Sequence, residues 1–188
     1  MYLIFRIGGV FMKTEYEVRV LEIDKEELIE KLESLGAVKQ GDYFYKRYVY
    51  EFNPPIYEKW IRLRTNGKKT TLTIKEIKSQ EIDGTKELEI EVSDFEETNQ
   101  ILEKLGYQAR NYQENKRTRY LLGGVELDID TWPRIPTYLE IEGNSTEEVL
   151  KMMDLLEIQR DKATTKDVES VYREVYNIPI AEIDILKF

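Results

Sequence analysis

Charged and apolar side chains alternate with a period of two in segment after segment of this chain, and the charged positions are almost wholly ionic. Glu15, Glu17 and Arg19 are interleaved with Val18 and Val20. Arg62 and Arg64 alternate with Ile61 and Leu63, and Thr73 and Lys75 with Leu72 and Ile74. Glu87, Glu89 and Glu91 separate Leu88, Ile90 and Val92. Glu126, Asp128 and Asp130 flank Leu127 and Ile129, and Glu140 and Glu142 follow Leu139 and Ile141. Successive side chains of a strand point to opposite faces, so each set projects to one side of a sheet. One wet face with cross-strand ion pairs is the simplest account of any single strand. It is a poor account of all of them, because a merely soluble face mixes in Thr, Ser and Gln. Here arginines sit on some strands and acids in pairs or triplets on others, and such acids repel unless a cation neutralises them. Strands that curl until their charged faces turn inward give the other solution: a closed barrel with a polar lumen and its apolar face outward, under helices.

The helices are legible from their caps. Asp24 precedes Leu28, Leu32 and Leu35 at helical spacing, and Gly36 supplies a stop. Asp94, Ile101, Leu102, Leu105 and Gly106 repeat that unit, with the two glycines 70 residues apart. Lys46-Arg47-Tyr48 and Lys116-Arg117-Thr118 share the same offset. The chain therefore reads as two β-α-β-β half-repeats. Ser145 opens a helix to about Leu156, and a last helix is predicted over Lys166–Tyr176. Asn66-Gly67 marks a hairpin, and Ile82–Thr85 and Gly123-Gly124 mark further turns. Strands joined mainly by turns predict an antiparallel α+β fold with helices packed outside.

With 41% apolar residues the chain can bury a core, so disorder is excluded. It has no cysteine and no histidine, which removes disulfides, thiolate or imidazole zinc sites, and Ser–His or Cys–His catalysis. A net charge of −9 argues against nucleic acid or a membrane surface as partner. Residues 1–12 read as an N-terminal extension and 13–188 as a single domain. The apolar run over 1–11 is too short to span a bilayer and lacks the layout of a signal peptide, so a cytoplasmic location is expected. Two readings of 1–11 stand: an upstream translated segment, with Met12 the natural start, or a packing arm.

A lumen holding both signs of charge has a specific chemical use. Guanidinium and ammonium groups bind phosphate oxygens, while converging carboxylates bind a hard divalent cation, Mg²⁺ or Mn²⁺. A polyphosphate chelating a metal needs both, and no Gly-rich phosphate loop offers another scheme.

The ordered set Glu15-x-Glu17-x-Arg19, Arg62-x-Arg64, Lys75, Glu87-x-Glu89, Arg117-x-Arg119, Asp128 and Glu140-x-Glu142 resembles the signature of the CYTH superfamily over about residues 14–176. That superfamily contains class IV adenylyl cyclases, thiamine triphosphatases and inorganic triphosphatases. The resemblance implies an eight-stranded antiparallel closed β-barrel, a triphosphate tunnel. It implies that Arg62, Arg64, Lys75, Arg117 and Arg119 grip phosphates, and that Glu15, Glu17, Asp128, Glu140 and Glu142 hold Mg²⁺ or Mn²⁺. Glu15, Glu17, Arg19 and Lys75 are expected to act in the chemical step, and Lys166 to supply a closing cation. Glu87, Glu89 and Asp130 share the lumen face. The implied partner is a triphosphate-containing small molecule, and a homodimer is left open.

Two departures stand out. Arg19 replaces the lysine of the ExExK signature, and Lys46-Arg47-Tyr48-Val49-Tyr50 lacks the acid that cyclase-like members carry before aromatic residues. The second weakens cyclisation of ATP relative to hydrolysis of a triphosphate. A non-catalytic polyphosphate or nucleotide binding module is the third reading. Alanine at Glu17 or Glu140 is expected to leave the protein folded, since it relieves acid–acid repulsion.

Overall fold

A computed structural model describes residues 12–188; the run over 1–11 lies outside the described residues. The first half runs β1 (Lys13–Val20), α1 (Lys25–Ser34), β2 (Val38–Glu51), β3 (Lys59–Thr65) and β4 (Thr70–Ile77). The second half repeats it as β5 (Thr85–Val92), α2 (Phe95–Lys104), β6 (Ala109–Leu122), β7 (Val125–Thr131) and β8 (Tyr138–Gly143). Each half thus carries three strands after its helix, one more than the β-α-β-β reading. Then follow α3 (Thr146–Leu155), the two-residue β9 (Ala163–Thr164), α4 (Val168–Ser170) with a π-helical turn at Val171–Val175, and β10 (Ile185–Leu186).

The strand order β6-β2-β3-β4-β5-β1-β8-β7 is closed by β6 pairing with β7, and all eight contacts in this ring are antiparallel. The result is the eight-stranded barrel. The capping residues act as their positions require: Asp24, Asp94 and Ser145 each accept the backbone N–H three residues on. The helix predicted over Lys166–Tyr176 starts two residues late, because Asp167 caps it and Lys166 remains extended ahead of it.

Strand β7 settles which face is wet. Leu127 and Ile129 are 0% and 1% exposed, and so are the interleaved Asp130 and Asp128. Both faces are buried, so the ionic face lines a lumen and the solvated-sheet reading fails. Outside the barrel, Leu32 of α1 and Val149, Met152 and Met153 of α3 cover Val18, Leu127, Leu139 and Ile141. Helix α2 places Leu102 on Tyr50, Ile61 and Leu63. Each such fully buried aliphatic side chain contributes about 1.5–3 kcal/mol. A third cluster packs Trp132 and Tyr138 under Val171, Tyr172 and Ile180 of the C-terminal segment.

Candidate active site in the barrel lumen

The lumen has a basic side and an acidic side. On the basic side, antiparallel register sets Arg47 of β2 directly opposite Arg64 of β3, with Arg62 two residues along. Among the described residues neither Arg47 nor Arg64 has a carboxylate partner. Arg47 donates to the neutral Asn115 amide oxygen and lies 4.5 Å over the Trp132 ring, while Arg64 lies 4.6 Å over Tyr45. Arg62 reaches Thr73 at 3.3 Å and Glu89 at only 3.4 Å. Burial, with Arg62 and Arg117 nearby, pulls the Arg64 guanidinium down to about 10. Burial, Arg64 and Arg62 likewise hold Arg47 well below the ordinary arginine range. Arg47 and Arg64, their proton affinity depressed by burial and by the cations around them, form with Arg62 a weakly neutralised positive field, the condition for binding an anion.

The acidic side is the converse. Arg117 donates to Asp128 at 2.5 Å, to Asp130 at 2.8 and 2.5 Å, and to Glu140 at 3.0 Å. Arg119 takes Asp128 and Glu126, each at 2.6 Å. Arg19 bridges Glu17 at 3.0 Å and Glu140 at 2.7 Å, and its other Nη donates to the Lys166 carbonyl at 2.9 Å. Lys75 caps both oxygens of Glu15, at 2.8 and 2.6 Å. Acids still outnumber these cations. Glu142 sits opposite Glu17, and its nearest cation, Lys13, is 3.9 Å away. Burial, with Glu140, Glu17, Glu15 and Glu126 adding to it, pushes the Glu142 carboxyl up to about 7. Glu17 is also raised, by burial and by Glu140, with Arg19 opposing. Glu140 behaves oppositely: burial raises it, but Arg19, Arg117 and Lys75 outweigh that and hold it well below the carboxylate range.

Among the described residues no three carboxylates converge at metal-ligating spacing, because Arg19, Arg117 and Lys75 hold most of them. The donor set nonetheless suits a hard divalent cation. It is all carboxylate oxygen, and the raised Glu142 and Glu17 mark negative field that the protein leaves uncompensated.

These shifts make stability depend on pH. The folded Glu142 binds its proton more tightly than the unfolded chain does, so its stabilising term is complete below about 4.5 and is lost as pH rises through about 7. Glu17 acts in the same direction, and no histidine titrates in this window. Metal-free protein should therefore melt at lower temperature at about pH 8 than at about pH 5. Glu142→Gln should flatten that decline, and a melting temperature flat across the window in wild type would contradict it. The expectation that Glu17 and Glu140 behave alike is corrected here. Glu17 is a net-repelled charge, whereas Glu140 neutralises Arg19 and Arg117, so Glu140→Ala should destabilise.

The structure brings eleven of the twelve sequence-predicted site residues onto the lumen face: Glu15, Glu17, Arg19, Arg62, Arg64, Lys75, Arg117, Arg119, Asp128, Glu140 and Glu142. Lys166 is the exception; its amine pairs with Glu174 outside the lumen, and its carbonyl, not its charge, meets the site. Sequence reasoning passed over Arg47, although the 70-residue offset makes it the repeat counterpart of Arg117. It also passed over the polar Asn111, Gln113 and Asn115 of β6, which are 3%, 6% and 0% exposed. Two small cavities, about 80 and 100 Å³, lie among these side chains, and a cleft of about 570 Å³ at the barrel mouth adjoins the first of them, sharing Trp60 and Arg110.

The family model of the CYTH domain matches residues 13–174. The chain belongs to the CYTH family. A conserved protein of Pyrococcus furiosus superposes with a TM-score of 0.72 at 23% identity, covering 82% of this chain and 98% of its own. A Vibrio parahaemolyticus protein described as an adenylate cyclase candidate gives 0.72 at 10% identity, covering 85% and 97%. A Hippeastrum adenylyl cyclase candidate described as having a dominant triphosphatase activity gives 0.57 at 13% identity, covering 88% and 96%. At these identities the likeness is one of fold. No curated protein matches this chain in sequence. CYTH enzymes are metal-dependent triphosphatases or adenylyl cyclases. No helix among the described residues of this CYTH protein is long and apolar enough to cross a membrane.

Proposed function

We propose that this CYTH protein hydrolyses a triphosphate in its lumen with Mg²⁺ or Mn²⁺. The observation that carries the reading is the trio of buried Arg47 and half-buried Arg62 and Arg64, cationic, mutually repelling and short of anionic partners, facing acids that are themselves in excess. The trio binds the phosphate oxygens, and Lys75 reaches them when its hold on Glu15 loosens. Glu17 and Glu142, with Glu15, Asp128 and Glu140 around them, hold the metal, which when bound supplies charge neutralisation at the phosphoryl group. Water attacks the terminal phosphorus, the bond from that phosphorus to the bridging oxygen breaks so that the diphosphate (pyrophosphate where the substrate is tripolyphosphate) leaves, and a lumen carboxylate not engaged with the metal takes the proton of water. Arg19 holds Glu17 and Glu140 in place through one Nη while its other Nη donates to the Lys166 carbonyl, a fork that the single nitrogen of lysine does not reproduce.

Cyclisation of ATP is the second reading, favoured by the cleft at the mouth, whose volume of about 570 Å³ has room for a nucleoside. An assay of tripolyphosphate, thiamine triphosphate and ATP, reading phosphate, pyrophosphate and cyclic AMP, separates the two. Activity is expected to vanish with EDTA and return with Mg²⁺ or Mn²⁺; full turnover in excess EDTA would remove the metal from the scheme.

A further inference from the structure

Two uncharged donors border the arginine trio. Trp132 follows β7 and Tyr138 opens β8, and they are 3% and 1% exposed. Both line the lumen cavity of about 100 Å³ that Arg47, Arg62 and Arg64 also line. The Trp132 Nε1 and the Tyr138 hydroxyl are fully buried, and neither has a hydrogen-bond partner among the described residues. The Nε atoms of Arg19, Arg47 and Arg62, which line the same cavity, share that condition. Most buried polar groups in proteins are bonded, and leaving one unmade costs about 1–3 kcal/mol. Five such donors on residues lining one cavity therefore call for an acceptor that the described residues do not supply.

We infer that Trp132 Nε1–H and Tyr138 O–H are donors to phosphate oxygens of the triphosphate held by Arg47, Arg62 and Arg64. The inference rests on the triphosphate reading of the lumen. Both groups give hydrogen bonds without adding charge, and an indole cannot accept one in its plane, so an anionic oxygen is the acceptor they fit. Their placement has a second consequence. The Trp132 ring carries Arg47 at 4.5 Å, so one residue both orients a cation and offers a neutral donor beside it. A phosphate here meets a site whose donors extend beyond its arginines, which favours a multiply charged oxyanion over a carboxylate with fewer oxygens.

Tyr138→Phe tests this with almost no change of shape. The hydroxyl has no partner to lose in the free protein, so the melting temperature without ligand should stay level or rise. Tripolyphosphate with Mg²⁺ should bind roughly tenfold or more weaker, the scale of a hydrogen bond to a charged group. Trp132→Phe, which keeps an aromatic face under Arg47, should weaken tripolyphosphate similarly. If both variants bind tripolyphosphate as wild type does, the donors have no such role, while the triphosphate reading stands. A lowered melting temperature of the free protein with an unchanged tripolyphosphate affinity makes the two groups packing residues and overturns the inference. Wild type that fails to bind tripolyphosphate overturns both.

Discussion

Arg117→Met should cost the folded state about 3–5 kcal/mol, a large share of the stability of a protein this size. The reason is what the guanidinium leaves behind. Asp130 is 0% exposed, and among the described residues its only remaining donor without Arg117 is the Asn115 amide at 3.0 Å. Asp128 keeps Arg119 and Glu140 keeps Arg19, so the damage concentrates on Asp130. Burial already raises the Asp130 carboxyl against the pull of Arg117, so removing the arginine should drive it to bind a proton. A second substitution makes the assignment specific. Asp130→Asn in the Arg117→Met background should recover most of the loss, because the buried charge has gone while the hydrogen bond with Asn115 can be remade. Chemical denaturation of wild type, both single variants and the double variant closes the cycle. Additive losses would show that Arg117 and Asp130 are not coupled, and the account of the acidic side would fail with them.

How much of this was legible in the sequence follows from what each feature depends on. The period-two alternation at Glu15–Val20, Glu87–Val92 and Val125–Thr131 depends only on the chain's own geometry, and those strands form where the pattern places them. The caps at Asp24, Asp94 and Ser145 are equally local. The number of strands in the ring came from family resemblance, not from spacing. What escaped was pairing. Arg117 and Arg119 carry the same charge as Arg62 and Arg64 and alternate in the same way. They differ because β6 lies beside the acids of β7, with Arg117 opposite Asp130 and Arg119 opposite Asp128, whereas β3 lies between β2 and β4. The register between neighbouring strands decides which cations are spent on acids and which stay open to a ligand. Arg47 escaped for the same reason: only its register opposite Arg64 marks it, although the repeat offset from Arg117 pointed to it. Lys166, expected as a closing cation, lines the cleft at the barrel mouth and pairs there with Glu174, eight residues on.

That division of the arginines gives the second large effect. Arg64→Ala should weaken tripolyphosphate binding by about 1.5–3 kcal/mol, the value of a hydrogen bond to a charged group, and turnover should fall with it. Arg64 has no acid to leave unpaired among the described residues, and it stands opposite Arg47. Removing it relieves a repulsion and forfeits the contact with the Tyr45 ring, worth about 0.5–2 kcal/mol. The free protein should therefore stay folded, in contrast to Arg117→Met. Arg64→Lys should restore only part of the affinity, because an ammonium cannot reproduce the planar fork that meets two phosphate oxygens. Mg²⁺ affinity without tripolyphosphate should not fall, since removing a cation cannot weaken carboxylate attraction for a metal. The readout is the rise of melting temperature with tripolyphosphate, which grows as RT ln(1 + [L]/Kd) and should shrink in both Arg64 variants. An equal rise in wild type and Arg64→Ala would place the triphosphate away from β3. No rise in wild type at millimolar tripolyphosphate with Mg²⁺ would leave the unpaired arginines without the ligand proposed for them, because a site whose cations repel one another must gain stability when an anion enters it.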